Sequence, residues 1–210
     1  MKNLSIYAIV DKDYIGSNQR VIKITRQLIN AGIDIIQLRA KTATGREFVR
    51  IAESIKKLCI AGHVPLIIND RVDVAMIINA DGVHLGQDDV PVGSIRKIFK
   101  NKIIGKSTHT LKQAITAERE GVDYIGVGPV FKTQLKPQAK AVGLNLISKV
   151  DQQIKIPYFV IGGINLKTLK CAVDAGANRC AICRGLINTK NKKSDIAQLR
   201  RILSKNENIN

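Results

Sequence analysis

With 210 residues, 45% of them apolar, the chain has ample material for a proper core. No apolar run approaches the ~20 residues of a membrane span. Lys and Arg number 34 against 17 acids, a net charge of +17, but aromatics are 4% with no Trp, and no aromatic-basic motif for stacking bases is present. That pattern weighs against nucleic acid as the main partner and suits solvated helix faces around a small anionic substrate.

The chain opens with a short apolar run over residues 4–10, a first strand. It lacks the length and cleavage site of a signal peptide, so a cytoplasmic location is expected. A weak repeat then recurs. Ala31-Gly32-Ile33-Asp34, Glu120-Gly121-Val122-Asp123 and Ala175-Gly176-Ala177-Asn178 each lead into an apolar run, and Ala80-Asp81 is a shortened copy. Each copy is a helix end, a tight turn and a strand. Strands are predicted over 4–10, 35–39, 66–69, 82–85, 103–107, 124–128, 158–162 and 179–183. Helical spacing predicts helices over 20–30, 46–60, 72–78, 92–99, 111–120, 144–150, 166–174 and 196–203. Eight such units with no break between them make a (β/α)8 barrel in a single domain, 1–210, with a frayed tail from about 205. An open doubly wound sheet is the alternative, but no G-x-G-x-x-G follows any strand. Nothing in the sequence sets an oligomeric state.

In such a barrel the chemistry lies at the C-terminal strand ends. Strand two ends in Gln37-Leu38-Arg39-Ala40-Lys41, strand three in Asn69-Asp70, strand four at Gln87-Asp88-Asp89 and strand five at Ser107-Thr108-His109. Strand six leads through Gly128-Pro129 to Thr133 and Lys136, strand seven ends at Gly162-Gly163, and strand eight at Cys183-Arg184. Carboxylates gathered at one rim repel unless a cation lies between them; a hard ion such as Mg²⁺ fits, and commonly accompanies a phosphorylated substrate. Asp70 and Asp88 are equally placed to cap the helices that follow. Glycines after strands seven and eight suit a phosphate held on backbone N–H groups.

Cys180-Ala181-Ile182-Cys183 has zinc-site spacing, but in a strand its ends face opposite ways. The four cysteines (Cys59, Cys171, Cys180, Cys183) are read as buried thiols. His63 is read as inert, His84 as barrel filling, and His109 as a helix cap or a ligand contact.

Taken together, Gln37-Leu38-Arg39 with Lys41, Ile68-Asn69-Asp70-Arg71, the run from Asp81 to Asp89, Ser107-Thr108-His109, the run from Gly126 to Phe131, and Ile161-Gly162-Gly163-Ile164 resemble the thiamine-phosphate synthase family, from strand one to strand eight. The resemblance implies a transferase that joins hydroxymethylpyrimidine pyrophosphate to hydroxyethylthiazole phosphate by a dissociative, Mg²⁺-assisted substitution. It implies Asp70 and Asp89 as metal ligands. Arg39, Lys41, Ser107 and Lys136 take catalytic roles, and Arg39, Lys41, Asn69 and Lys136 hold the pyrophosphate oxygens. Gln37, Ser107 and Thr133 complete the pyrimidine and leaving-group pocket. Gly163 and the backbone of Ile182, Cys183 and Arg184 hold the thiazole phosphate. Ala40, Leu135 and Arg184 depart from the family's usual Glu, Thr and Ser. A thiazole-tautomerase-like barrel, or a non-catalytic barrel binding phosphate or nucleic acid, are the rivals; the tautomerase would not need the metal carboxylates and the cations together.

Overall fold

The computed structural model describes residues 4–133 and 138–204. The expectations for Leu135, Lys136 and a tail from about 205 lie outside the described residues. Eight parallel strands close into a barrel in chain order: β1 Ile6–Asp11, β2 Ile35–Arg39, β3 Leu66–Asn69, β4 Gly82–Leu85, β5 Ile103–Thr108, β6 Tyr124–Val127, β7 Tyr158–Ile161 and β8 Cys180–Ile182. Closure is made where β1 pairs with β8, Ile6 opposite Cys180 and Ala8 opposite Ile182.

Among the described residues the helices are α1 Lys12–Ile15, α2 Asn18–Asn30, α3 Gly45–Ala61, α4 Val72–Ile77, α5 Val92–Ile98, α6 Leu111–Arg119, α7 Leu144–Gln153, α8 Leu169–Asp174, α9 Arg184–Asn188 and α10 Lys192–Ser204. No helix among the described residues is long and apolar enough to cross a membrane. α3 illustrates how sequence sets these elements. Thr44 caps it by accepting from Glu47 N, and Phe48, Ile51, Ala52, Ile55 and Cys59 recur at helical spacing as its buried face. Each large apolar side chain buried this way contributes about 1.5–3 kcal/mol before entropy is counted.

Two apolar layers result. The larger lies between barrel and helices. The smaller fills the barrel itself, with Tyr7, Ile9, Ile35, Ile67, Tyr124, Phe159 and Ala181. The repeat seen in sequence is the turn between helix and strand. Gly32, Gly121 and Gly176 have φ of 84, 79 and 112°, and Asn79 takes φ 50° in the shortened copy. These left-handed residues end the helix and free the chain to enter the next strand. His63 does the same after α3, with φ 54°.

Some boundaries differ from expectation for local reasons. α8 starts at Leu169, because Asn165 Oδ1 accepts from Lys167 N and Thr168 Oγ1 accepts from Asn165 N, a side-chain turn that takes up residues expected in the helix. α10 starts at Lys192, where Asn191 Oδ1 accepts from Ser194 N. The expectation of buried thiols fails for Cys171, which is exposed on α8. Cys183, just past β8, is only partly buried, so the expectation holds for Cys59 and Cys180 alone; all four cysteines are free.

Candidate active site

The C-terminal strand ends open into one cavity of about 740 Å³. Of the residues expected from sequence, Gln37, Arg39, Lys41, Asn69, Asp70, Asp89, Ser107, Thr133, Gly163, Ile182, Cys183 and Arg184 all line it. Lys136 lies outside the described residues.

On one side are the carboxylates. Asp70 adopts φ 62° directly after β3, a left-handed turn that Asp tolerates better than most residues. It is not a helix cap: the N-cap of α4 is Arg71, with no side-chain cap bond. Neither Asp88 nor Asp89 caps α5, whose N-cap is Pro91. Asp89 Oδ2 instead accepts from Gly86 N and faces Asp70 within hydrogen-bonding reach. Burial, and then the charge and hydrogen bond of Asp70, push the Asp89 carboxyl up from its ordinary range, against the pull of Gly86 N–H and Lys41. Lys41 Nζ lies 3.2 Å from Asp70 Oδ2. Two crowded carboxylates beside one lysine are a donor set that a divalent cation would relieve. Mg²⁺ commonly takes one or two carboxylates and completes its shell with water and phosphate, so the pair fits it. Among the described residues no group of three or more His, Cys, Asp and Glu could form an all-protein cage.

Beside them stands Arg39, whose Nη1 donates to Asp11 Oδ2 at 2.6 Å, with Asp11 almost fully buried. Asp11 ends β1, one residue beyond the strand end expected from the apolar run over 4–10, which carries no mark of the carboxylate's role. Asp13, on α1, accepts from Lys41 N at 2.8 Å and from Thr42 Oγ1 at 2.6 Å. Burial alone would push Asp13 up, but those bonds and the Arg39 charge outweigh it and hold its carboxyl low. α1 therefore shapes the loop that aims Lys41. Ala40 points away from the cavity into the apolar layer, 4% exposed.

At the far side, β7 ends in Gly162 and Gly163, with φ of 90 and 67°. A Cβ on Gly163 would stand 2.7 Å from Phe131 Cβ, so the loop after β6 can close on this turn only because the residue is glycine. Cys183 is pushed up to about 12 by burial and then by the Asp11 charge, so it is a thiol lining, not a nucleophile. Arg184 opens α9 with its guanidinium 4.4 Å from the centroid of the Tyr14 ring. His109 Nδ1 contacts Gly128 O, and Thr110 caps α6; His109 lines the cavity and is not the cap.

Comparison with known proteins decides the family. The family model described as thiamine monophosphate synthase matches residues 6–186. The chain belongs to that family. It is 40% identical over 195 residues to the thiamine-phosphate synthase of Halalkalibacterium halodurans, covering 92% of each chain. It is 36% identical over 204 residues to that of Caldanaerobacter subterraneus, covering 95% of each. The thiamine phosphate pyrophosphorylase structure from Pyrococcus furiosus superposes with a TM-score of 0.86 at 32% identity over 96% of both chains. Membership thus rests on nearly the whole barrel.

Proposed function

We propose that the protein is a thiamine-phosphate synthase. It acts on two small phosphorylated substrates, joining hydroxymethylpyrimidine pyrophosphate to hydroxyethylthiazole phosphate, with thiamine phosphate and pyrophosphate as products. The observation that carries this is the rim pairing of Asp70 with Asp89, next to Lys41 and Arg39, in a single cavity.

The bond that breaks joins the pyrimidine methylene carbon to the pyrophosphate oxygen, and the electron pair leaves with oxygen. The bond that forms joins that carbon to the thiazole nitrogen. Such a dissociative exchange needs leaving-group charge neutralised in fixed geometry rather than a strong base. Arg39 is held in place by Asp11 and Lys41 by the Asp13 clamp on its loop, so both cations are aimed before substrate arrives. Asn69, Thr133 and Ser107 supply hydrogen bonds to the leaving group and the ring, with Lys136 as a further cation. Gly163 and the turn from Ile182 to Arg184 take the thiazole phosphate. Asp70 and Asp89 would hold Mg²⁺, which when bound supplies Lewis-acid neutralisation of the pyrophosphate.

Incubating the purified protein with both substrates and Mg²⁺ tests this. Thiamine phosphate and pyrophosphate should form one for one, and only with both substrates present. Phosphate compounds that bind without turnover, or a thiazole that merely isomerises, would overturn it.

A further inference from the structure

Five polar side chains cross the barrel in one unbroken line. Gln37 Nε2 donates to Tyr7 Oη at 2.9 Å, and the Tyr7 and Tyr124 hydroxyls meet at 2.9 Å. Tyr124 Oη lies 3.0 Å from His84 Nδ1, and His84 Nε2 lies 3.0 Å from Ser107 Oγ. The line runs through β2, β1, β6, β4 and β5 across the floor of the cavity, which all five residues line, with Gln37 and Ser107 at its two ends. Gln37, Tyr7, Tyr124 and His84 are all buried.

Packing alone does not call for this line. Tyr7 and Tyr124 each meet Phe159 edge-on, at 5.3 and 5.5 Å between centroids, and phenylalanines would make the same contacts. Burying polar groups is costly unless each is bonded. Room is also set aside for one of them: a Cβ on Gly105 would stand 2.1 Å from Tyr124 Cζ.

We propose that the line is a positioning relay that sets Gln37 and Ser107 in opposite roles, an acceptor facing the cavity at Gln37 and a donor facing it at Ser107. A hydroxyl has one proton to give, and a ring nitrogen either donates or accepts. Gln37 gives an N–H to Tyr7, so the Tyr7 proton goes to Tyr124 and the Tyr124 proton to His84 Nδ1. The ring then carries its proton on Nε2 and gives it to Ser107 Oγ. Ser107 is left with its own proton for the cavity, and Gln37 with its carbonyl oxygen. Burial pushes both tyrosine hydroxyls well up, so neither gives up its proton in the working range.

A ligand seated between them must offer a donor toward β2 and an acceptor toward β5. An aminopyrimidine offers both, an exocyclic amine and ring nitrogens; a ring with acceptors alone leaves Gln37 unsatisfied. This choice of ligand rests on the function proposed above, whereas the polarity of the relay does not. Tyr7, Tyr124 and His84 are positioning residues that act through Gln37 and Ser107.

Two experiments separate these levels. In protein labelled with ¹⁵N-histidine, His84 should be neutral with its proton on Nε2; a proton on Nδ1, or a doubly protonated ring, would overturn the relay without reference to any substrate. In steady-state assays Tyr124→Phe, and independently Tyr7→Phe, should raise KM for the pyrimidine substrate roughly tenfold and leave KM for the thiazole phosphate within about twofold. An unchanged pyrimidine KM, or both KM values moving together as packing damage would make them, overturns the positioning role. Failure of the unaltered protein to form thiamine phosphate would remove the ligand assignment and leave the tautomer to judge the relay.

Discussion

The two ends of the barrel use the same residue type for opposite purposes. At the N-terminal end, Asp34, Asp81 and Asp123 occupy the repeated turn before β2, β4 and β6. Each grips the start of the preceding strand: Asp34 accepts from Ile6 N, Asp81 from Leu66 N and Asp123 from Ile104 N, each at 2.8 Å. Arg200, Lys56 and Arg96 complete the three sites. Those carboxylates are satisfied, and they hold strands in register. At the C-terminal end, Asp70 and Asp89 face each other, with Lys41 Nζ 3.2 Å from Asp70 Oδ2. Their lone pairs are turned toward a cavity. A carboxylate that is satisfied by backbone is part of the scaffold, and one crowded against its own kind is poised for a ligand.

The sharpest way to break that division is Arg39, which belongs to both categories. Arg39→Met would leave buried Asp11 without its ion-pair partner, keeping only the bonds from Asp13 N and Tyr14 N, a loss of about 3–5 kcal/mol in chemical denaturation, together with turnover. Lys41→Met, at a more exposed cation, should lose turnover with stability changed by less than about 1 kcal/mol. Equal stability losses in the two variants would show that the scaffold role does not distinguish them.

Next in size is Asp34→Ala, which strands Ser5 N and Ile6 N, removes the ion pair with Arg200 and should cost about 1.5–3 kcal/mol, with kcat per folded molecule unchanged. Its pH dependence has a definite sign. Burial alone would raise the Asp34 pKa, but Arg200 and the two backbone N–H groups outweigh it and hold it low. A depressed carboxylate contributes stability that is fully present above the unfolded value near ~3.9 and is lost as pH falls through the folded value. Acid unfolding curves of the two proteins should therefore converge as pH falls below ~3.9. A gap that widens on acidification would reverse the assignment.

The smallest expected effect is at Arg184. If its guanidinium reaches the thiazole phosphate from its seat on Tyr14, Arg184→Ser should raise that substrate's KM roughly tenfold, since ~1.4 kcal/mol is a factor of ten, with the pyrimidine KM unaltered. An unchanged thiazole KM would exclude the contact, and a lowered one would mark Arg184 as an obstruction.

Much of this was legible before the fold was known, because a parallel barrel writes its rim in chain order. Once strands are located, the residues that follow them must converge, and Asp70, Asp89, Arg39 and Ser107 do line one cavity. What escaped was either too short for periodicity or too far apart for pattern. α1 and α9 span four and five residues, barely more than one turn, and they bring in Asp13, Tyr14 and the Arg184 stack. Alternation could turn Tyr7 and Tyr124 inward, but their hydroxyl contact joins residues 117 apart in sequence. The Asp of the repeat was visible as a recurring letter; its grip on a neighbouring strand start was not, since that bond depends on barrel register.

The central claim is that Asp70 and Asp89 at the C-terminal rim serve the reaction, while Asp34, Asp81 and Asp123 at the opposite end serve the fold. The most direct measurement is the Mg²⁺-dependent rate of thiamine phosphate formation in Asp70→Asn set against Asp81→Asn, per folded molecule at saturating substrates. Asp70→Asn should keep its melting temperature and lose most of the rate, while Asp81→Asn should melt earlier and keep the rate. A near-normal Mg²⁺-dependent rate in Asp70→Asn, or a collapsed one in folded Asp81→Asn, would contradict it.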